Sequence, residues 1–246
     1  MQGSRPKEPA NYADAGEAVA VSAKVHDDET GADQLQYSWT ATTGTFSGTG
    51  ANVTWTAPSS VSGPADVTIT LKVTEKYGTN QQFEHSVESV AKLSLHDSVK
   101  EVGDMSRQFL LDFSDTTIKD ADRIMRNFGG PGTCPRPSEV TDEREQVITH
   151  YTFYRMLNYR VDQASVTTNF GGICPTVHGG KAGDACAYVP VMWDSIDTRT
   201  NRREQNFGVD QIAASYSPKD ARWFLCSSDY DGHLSSNPSI AVRYPR

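Results

Sequence analysis

No run of apolar residues in this chain comes near the ~18 that a membrane-spanning helix needs, so no segment reads as a transmembrane helix. Cysteine is absent before position 134, and no two cysteines stand at Cys-x-x-Cys spacing. That spacing and a histidine pair are what structural zinc favours, so a zinc site has no natural ligand set here. The chain also lacks a Gly-x-Ser-x-Gly elbow, a His-Glu-x-x-His helix and a glycine-rich phosphate loop. The hydrolase, metalloprotease and nucleotide-binding signatures are therefore missing. Basic residues are in short supply: 23 Lys and Arg stand against 31 Asp and Glu, for a formal net charge of -8. An acidic chain repels phosphate, which argues against nucleic acid and anionic membrane surfaces as partners.

The length of 246 residues suits two domains, and a 37% apolar share is enough to build a core in each. Residues 1–98 carry 6 basic and 12 acidic side chains, whereas residues 99–246 carry 17 and 19. All four cysteines, Cys134, Cys174, Cys186 and Cys226, fall in the second part. Composition thus changes near residue 98, where a domain boundary is expected. Four cysteines allow three pairings. Cys174 and Cys186 flank the glycine-rich Gly179–Gly183, as the ends of one loop would, which predicts Cys174–Cys186 and leaves Cys134–Cys226. Four reduced, buried thiols are the alternative. An even count confined to one domain favours disulfides and an exported chain. The polar start, residues 2–11, reads as that of a mature protein whose signal has been removed, and it would serve as a lipoprotein tether.

Residues 12–92 alternate with period two. Ala18–Val25, Leu35–Ala41, Asn52–Thr56, Asp66–Val73 and Gln82–Val90 read as strands, separated by turn residues such as Thr43-Gly44, Ser47–Gly50 and Ser62-Gly63-Pro64. Short Thr-, Val- and aromatic-rich strands at this spacing predict an antiparallel sandwich.

The ordered motifs Asp33–Ala41, Gly44-Thr45-Phe46, Val53–Pro58 and Thr68–Val73 resemble bacterial PKD-type immunoglobulin-like domains over roughly 80 residues. The resemblance implies an extracellular sandwich that serves as spacer, adhesion module or accessory domain, without catalysis. Trp39 is expected to anchor the core from a central strand, with stacking on carbohydrate as the other reading. Asp27, Asp28, Glu29 and Asp33 crowd hard oxygens into one loop, which would hold calcium or simply be a solvated acidic turn. Calcium is the one cofactor with candidate ligands.

From residue 99 the period becomes helical. Val99, Val102, Met105, Phe109 and Phe113 lie on one face. Ser114 and Asp115 offer a cap for a second helix with Ile118, Ala121, Ile124, Met125 and Phe128 inward. Thr141 would cap a third, where Asp142, Glu143 and Glu145 suit the helix dipole and Val147, Tyr151, Tyr154 and Leu157 or Asn158 point inward. Strands follow over Ser165–Phe170, Cys186–Asp194, Asn206–Tyr216 and Arg222–Ser227, with Pro190 requiring an edge or a bulge. Helices first and a meander afterwards predict an α+β domain over 99–246, its helices packed on one face of a curved antiparallel sheet.

That order, with Arg107–Phe113 early and Arg222–Leu225 late, resembles the cystatin-like cone of the nuclear-transport-factor and ketosteroid-isomerase superfamily. The early strand pair of that family is not evident, and the loop over Gly129–Val140 is long. The resemblance implies a pocket between helices and sheet. Trp193, Trp223 and Tyr154 are candidate ligand contacts. Asp210, in the inward set of its strand with Ile212 and Tyr216, is a candidate base with Tyr151 or Tyr154 as donor. The competing expectation is that both tyrosines are core aromatics and that Asp210 is paired to Arg155 or Arg160. His150 and His178 read as structural, and Arg202 and Arg203 as a solvated hairpin tip.

These readings converge on an exported bacterial binding or adhesion protein, non-enzymatic, whose second domain binds a protein or carbohydrate. The alternatives are a secreted polysaccharide hydrolase or lyase with the sandwich as accessory, and a structural component of a surface assembly. A deep pocket holding Asp210 with a tyrosine would favour an enzyme, and a filled one with an exposed apolar patch would favour partner binding.

Overall fold

The computed structural model describes residues 11–28, 30–31, 34–168 and 184–231. It divides the chain into one compact unit over Ala10–Asp97 and a second whose described residues begin at Ser98. Among the described residues, no helix is long and apolar enough to cross a membrane.

The first unit is built of strands β1 (Tyr12–Asp14), β2 (Ala18–Ser22), β3 (Gln36–Ala41), β4 (Thr45–Ser47), β5 (Asn52–Thr56), β6 (Ala65–Tyr77) and β7 (Phe83–His96). They form two sheets, ordered β1-β7-β6-β3 and β2-β5-β4. Strand β1 runs parallel to β7, and the other pairs are antiparallel. The alternation seen in the sequence sends Ala13, Val67, Ile69 and Leu95 from the first sheet and Val19 and Trp55 from the second into one core.

The anchor of that core is Trp55, not Trp39. Trp55 is fully buried on the middle strand of its sheet, and its indole N–H donates to Thr43 O at 2.9 Å. Gly44, at φ +80°, crosses this indole so closely that a Cβ would lie 2.4 Å from Nε1, which only glycine avoids. Trp39 is half-buried on β3, at the end of its sheet, and bonds Gly50 O at 3.0 Å. Both tryptophans sit at inward positions of an alternating strand. What separates them is which strand has neighbours on both sides, and that is a property of topology.

The second unit contains α1 (Ser98–Ser114), α2 (Ala121–Ile124), α3 (Pro137–Phe153), β8 (Tyr154–Val161), β9 (Ser165–Thr168), β10 (Asp184–Asp197), β11 (Arg202–Ser217) and β12 (Arg222–Asp231). Its sheet is ordered β12-β11-β10-β8, with β9 pairing β10 beyond the end of β8, and every pair is antiparallel. Irregularities at Asp194/Ser195 and Ala213/Ala214 bend the long strands, and bulges of this kind increase twist and curl a sheet. Helix α1 lies against β9, β10 and β12, and α3 against β8 and β12.

Several local expectations shift. The second helix is a single turn capped by Asp120, which accepts from the backbone N–H of Asp122 and Arg123. Ser114 is instead buried at the end of α1. Helix α3 starts at Pro137, whose fixed φ suits the first turn, so Glu143 is carried into the helix body. The helix stops at Phe153, where Thr198 from the β10–β11 turn donates both its N–H and its hydroxyl to the Phe153 carbonyl. The aromatic run from Tyr154, expected to continue the helix, is strand β8, and Leu157 is exposed. Along α1, Val99 is exposed and the buried stripe runs through Val102, Ser106, Phe109 and Leu110. Pro190 lies inside a strand paired on both sides. It occupies the gap where the neighbour of β10 changes from β9 to β8, so its missing N–H faces a turn whose Asp162 N–H reaches the Pro190 carbonyl.

Two indole N–H groups of the sheet reach buried serines at opposite ends of α1. Trp223 donates to Ser98 Oγ at 3.0 Å and Trp193 to Ser114 Oγ at 2.6 Å. On the outer edge of β12, Asn127–Gly129 adds a short parallel bridge through Leu225. The Cys134–Cys226 disulfide, with a sequence separation of 92, fastens this loop to the strand. A Cβ on Gly129 would lie 2.9 Å from Cys134 Sγ, so the glycine lets the loop pass the disulfide. Cys186 is also disulfide-bonded; its expected partner Cys174, like His178, lies outside the described residues.

Trp55→Ala is expected to cost about 3–5 kcal/mol of first-unit stability, and Trp39→Ala clearly less, as read by urea unfolding. The reverse order would contradict the assignment of the anchor. Replacing Cys134 and Cys226 by serine should lower second-unit stability by roughly 4 kcal/mol, from the entropy of releasing so long a loop, with the first unit's transition unmoved. Free thiol at either position, by mass spectrometry of unreduced peptides, would contradict the link.

Candidate functional site

Between α1, α3 and the concave face of the sheet lies a cavity of about 830 Å³. Periodicity explains what faces it. Helix α1 contributes Phe109, Leu110 and Phe113; α3 contributes Glu143, Gln146 and His150, spaced by three and four; and Tyr154 follows at the start of β8. Trp193 and Ser195 on β10, Glu204, Asn206 and Asp210 on β11, and Ser228 and Tyr230 on β12 project inward at even spacing. The register places Tyr230 directly across from Asp210.

One wall is a run of rings. Tyr154 stacks on His150 at 5.4 Å and His150 on Phe113 at 4.1 Å, Phe113 lies 6.0 Å from Trp193, and Trp193 lies 5.3 Å from Tyr230. Burial pushes the His150 imidazole down to about 4, helped by the charge of Lys119, so the ring is neutral at physiological pH. Its Nε2 has no hydrogen-bond partner.

The opposite side holds two buried carboxyls. Glu143 is 4% exposed and accepts from the backbone N–H of Ser228 at 2.9 Å and from its hydroxyl at 3.2 Å. Asp210 is 3% exposed, is assisted by the same hydroxyl, and has an Oδ1 with no partner. Burial raises Asp210 to about 8, with the charges of Glu143 and Asp229 adding to it. Burial likewise raises Glu143 to about 7, opposed by its two bonds from Ser228. Near neutral pH the pair therefore retains protons that exposed carboxyls would have lost. Among the described residues, no three His, Cys, Asp or Glu side chains are grouped to hold a metal ion.

The structure brings Asp210, Tyr154 and Trp193 together, and it sets other candidates elsewhere. Tyr151 lies off the cavity with the Lys119 ammonium 5.5 Å over its ring. Trp223 is 1% exposed and packs in the core against Tyr216, so it does not reach the cavity. The expected arginine partner of Asp210 is absent: Arg160 pairs with Asp162 at 2.6 Å, and among the described residues no cation meets Asp210. Arg203 is exposed, as expected, and also forms a two-pronged pair with Asp194. In the acidic loop, Asp27 Oδ1 accepts from the Thr30 N–H, and Asp28 sits 3.6 Å from His26 in solvent. Glu29 and Asp33 lie outside the described residues. Sequence reasoning missed Glu143, His150 and Tyr230. The three-and-four spacing of Glu143, Val147 and His150 was the available signal, obscured by placing the helix start at Thr141.

No family model matches the chain, and none of the curated proteins is significantly similar to it.

The raised carboxyls set the pH dependence of stability. Below about pH 4 both are protonated folded and unfolded, and nothing is lost. As pH rises towards 8 the unfolded chain ionises them while the folded chain keeps protons, so stability falls. His150 acts oppositely, contributing stability as pH rises from about 4 to 6.5, and it is silent above that. From pH 6.5 to 8 the carboxyls act alone, and a single group accounts for up to about 2 kcal/mol over that span. The urea midpoint of the second unit should fall across this window, and fall less steeply in Asp210→Asn. A flat or rising midpoint would contradict the buried pair.

Proposed function

We propose that this is an exported binding protein whose second unit holds a small ligand in the cavity between its helices and its sheet. In this reading the first unit is a PKD-like spacer that presents it. The observation that carries the proposal is Asp210, nearly fully buried and with one oxygen unpaired, in the lining of a cavity of about 830 Å³. Ligand sites of this size are typically apolar-walled with a few placed polar groups, and here the rings from Tyr154 to Tyr230 supply the wall. Holding two carboxyls out of water costs stability, and that trade is typical of functional sites.

A second reading, acid–base chemistry on a bound polysaccharide, is favoured by one feature: Asp210 holds its proton near neutral pH with a tyrosine directly across. A general acid or base needs that poise. The two readings separate on one variant. With no arginine left behind, Asp210→Asn should keep or raise the melting temperature. As a binding protein it loses affinity only; as a hydrolase or lyase it loses turnover of a polysaccharide that the parent cleaves.

The test of the binding reading is a panel of neutral sugars, aliphatic amines and aromatic amines, read by tryptophan fluorescence. At least one class should perturb the emission of the parent and not that of Trp193→Phe. No response to any class, in protein shown to be folded, would contradict it.

A further inference from the structure

We propose that the cavity of the second unit is a site for an organic cation, a protonated amine or ammonium group carried on an apolar or aromatic body. This deepens the reading of the cavity as a ligand site and rests on it.

Among the described residues, six of those lining the cavity are acidic: Asp142, Glu143, Glu145, Glu204, Asp210 and Asp229. None is lysine or arginine, and the one histidine, His150, is held neutral by burial. An anionic ligand would meet carboxylates from α3, β11 and β12 at once and no compensating positive charge. A neutral sugar would stack on the rings and donate its hydroxyls to the carboxyls, but it would bring no positive charge to offset theirs.

An acidic lining alone is no site, and the second observation is the state of Asp210. Its Oδ1 is an acceptor with no donor, in a carboxyl nine-tenths buried and facing the cavity. An N–H bond of an ammonium group supplies the missing donor. It also supplies the opposite charge that makes an ionised Asp210 tolerable out of water. Glu143, already accepting from Ser228, is a second acidic group in the same lining.

The rings decide between an organic and an inorganic cation. Trp193 and Tyr230, 5.3 Å apart, stand on the strands beside Asp210, and Phe113 continues the wall. Aromatic faces attract alkylammonium groups and bury the carbon attached to them, whereas a divalent metal ion asks for a shell of oxygens, and no such grouping exists among the described residues. Because Asp210 carries a proton in the empty site near neutral pH, entry of the cation expels that proton to solvent. The balance is one ammonium ion in and about one proton out, with no bond to carbon made or broken.

The test uses three probes of one shape on the full chain: 2-phenylethylamine, 2-phenylethanol and phenylacetate. Calorimetric titration at pH 7.5 in two buffers of different ionisation enthalpy reads both affinity and proton release. The expected result is that the amine binds at least tenfold more tightly than the alcohol, with phenylacetate weakest and proton release seen for the amine alone. Asp210→Asn should weaken the amine at least tenfold and abolish proton release, leaving the alcohol within twofold. Asp229→Asn, an exposed change that spares the core, should weaken the amine about threefold and covers the case in which Asp210→Asn fails to fold. Equal binding of amine and alcohol would overturn the cation assignment while leaving the cavity a ligand site. Failure of all three probes, when sugars still perturb Trp193, would do the same. Calcium binding that is lost in Asp210→Asn would replace the organic cation by a metal and also overturn it. Silence towards every probe and the whole sugar and amine panel would remove the ligand site itself.

Discussion

Two indole N–H groups pin helix α1 across the sheet of the second unit. Ser98 and Ser114 lie at the ends of a helix of 17 residues, and each accepts from a tryptophan on a different strand, Trp223 and Trp193. A buried indole N–H without an acceptor is costly, so the helix has little freedom to slide or turn. Its position fixes where Phe109 and Phe113 hang over the sheet, and hence the roof of the cavity. The hollow beneath follows from the two bulges that curl the strands. A sheet curved this way leaves a space that one layer of helix side chains does not fill.

The side of that space opposite the rings is polar, and it is poorly compensated. Glu143 and Asp210 share the donors of one serine, and burial raises both carboxyls, with the charge of Asp229 adding at each and that of Glu143 adding at Asp210. An apolar pair of similar size would pack there more stably. The disulfide acts in the other direction. By tying the Gly129–Cys134 loop to β12 beside Cys226, it holds in place the strand that carries Ser228 and Tyr230. The stability lost to the carboxyls and the covalent tie on the strand behind them belong to one arrangement, in which a costly buried polar site is kept in shape by constraints around it.

Much of the fold was legible because strands and helices announce themselves by period. The alternation of Asn52–Thr56 and of Asp66–Val73, and the change to three-and-four spacing after residue 98, correspond to β5, β6 and α1. The failures were at boundaries and in ranking. Tyr151, Tyr154 and Leu157 fit a helical stripe as well as a strand, and the choice was made by Thr198 capping Phe153 from a distant turn. Trp39 and Trp55 could not be ranked from pattern, because centrality in a sheet depends on strand order.

For the site, sequence alone determined that Asp210 faces inward, since its parity in an alternating strand is a local matter, and that a nearly charge-balanced, cysteine-bearing second part stands apart from an acidic first one. Only tertiary structure decided what Asp210 meets. The expected arginine belongs to Asp162, the partner is Ser228 from the next strand, and the second carboxyl comes from a helix 67 positions earlier in the chain. Periodicity specifies the direction a side chain takes, because it depends on a few neighbouring dihedral angles. The company a side chain keeps depends on strand order, register and helix docking, and these are settled by long-range packing that no short window of sequence contains.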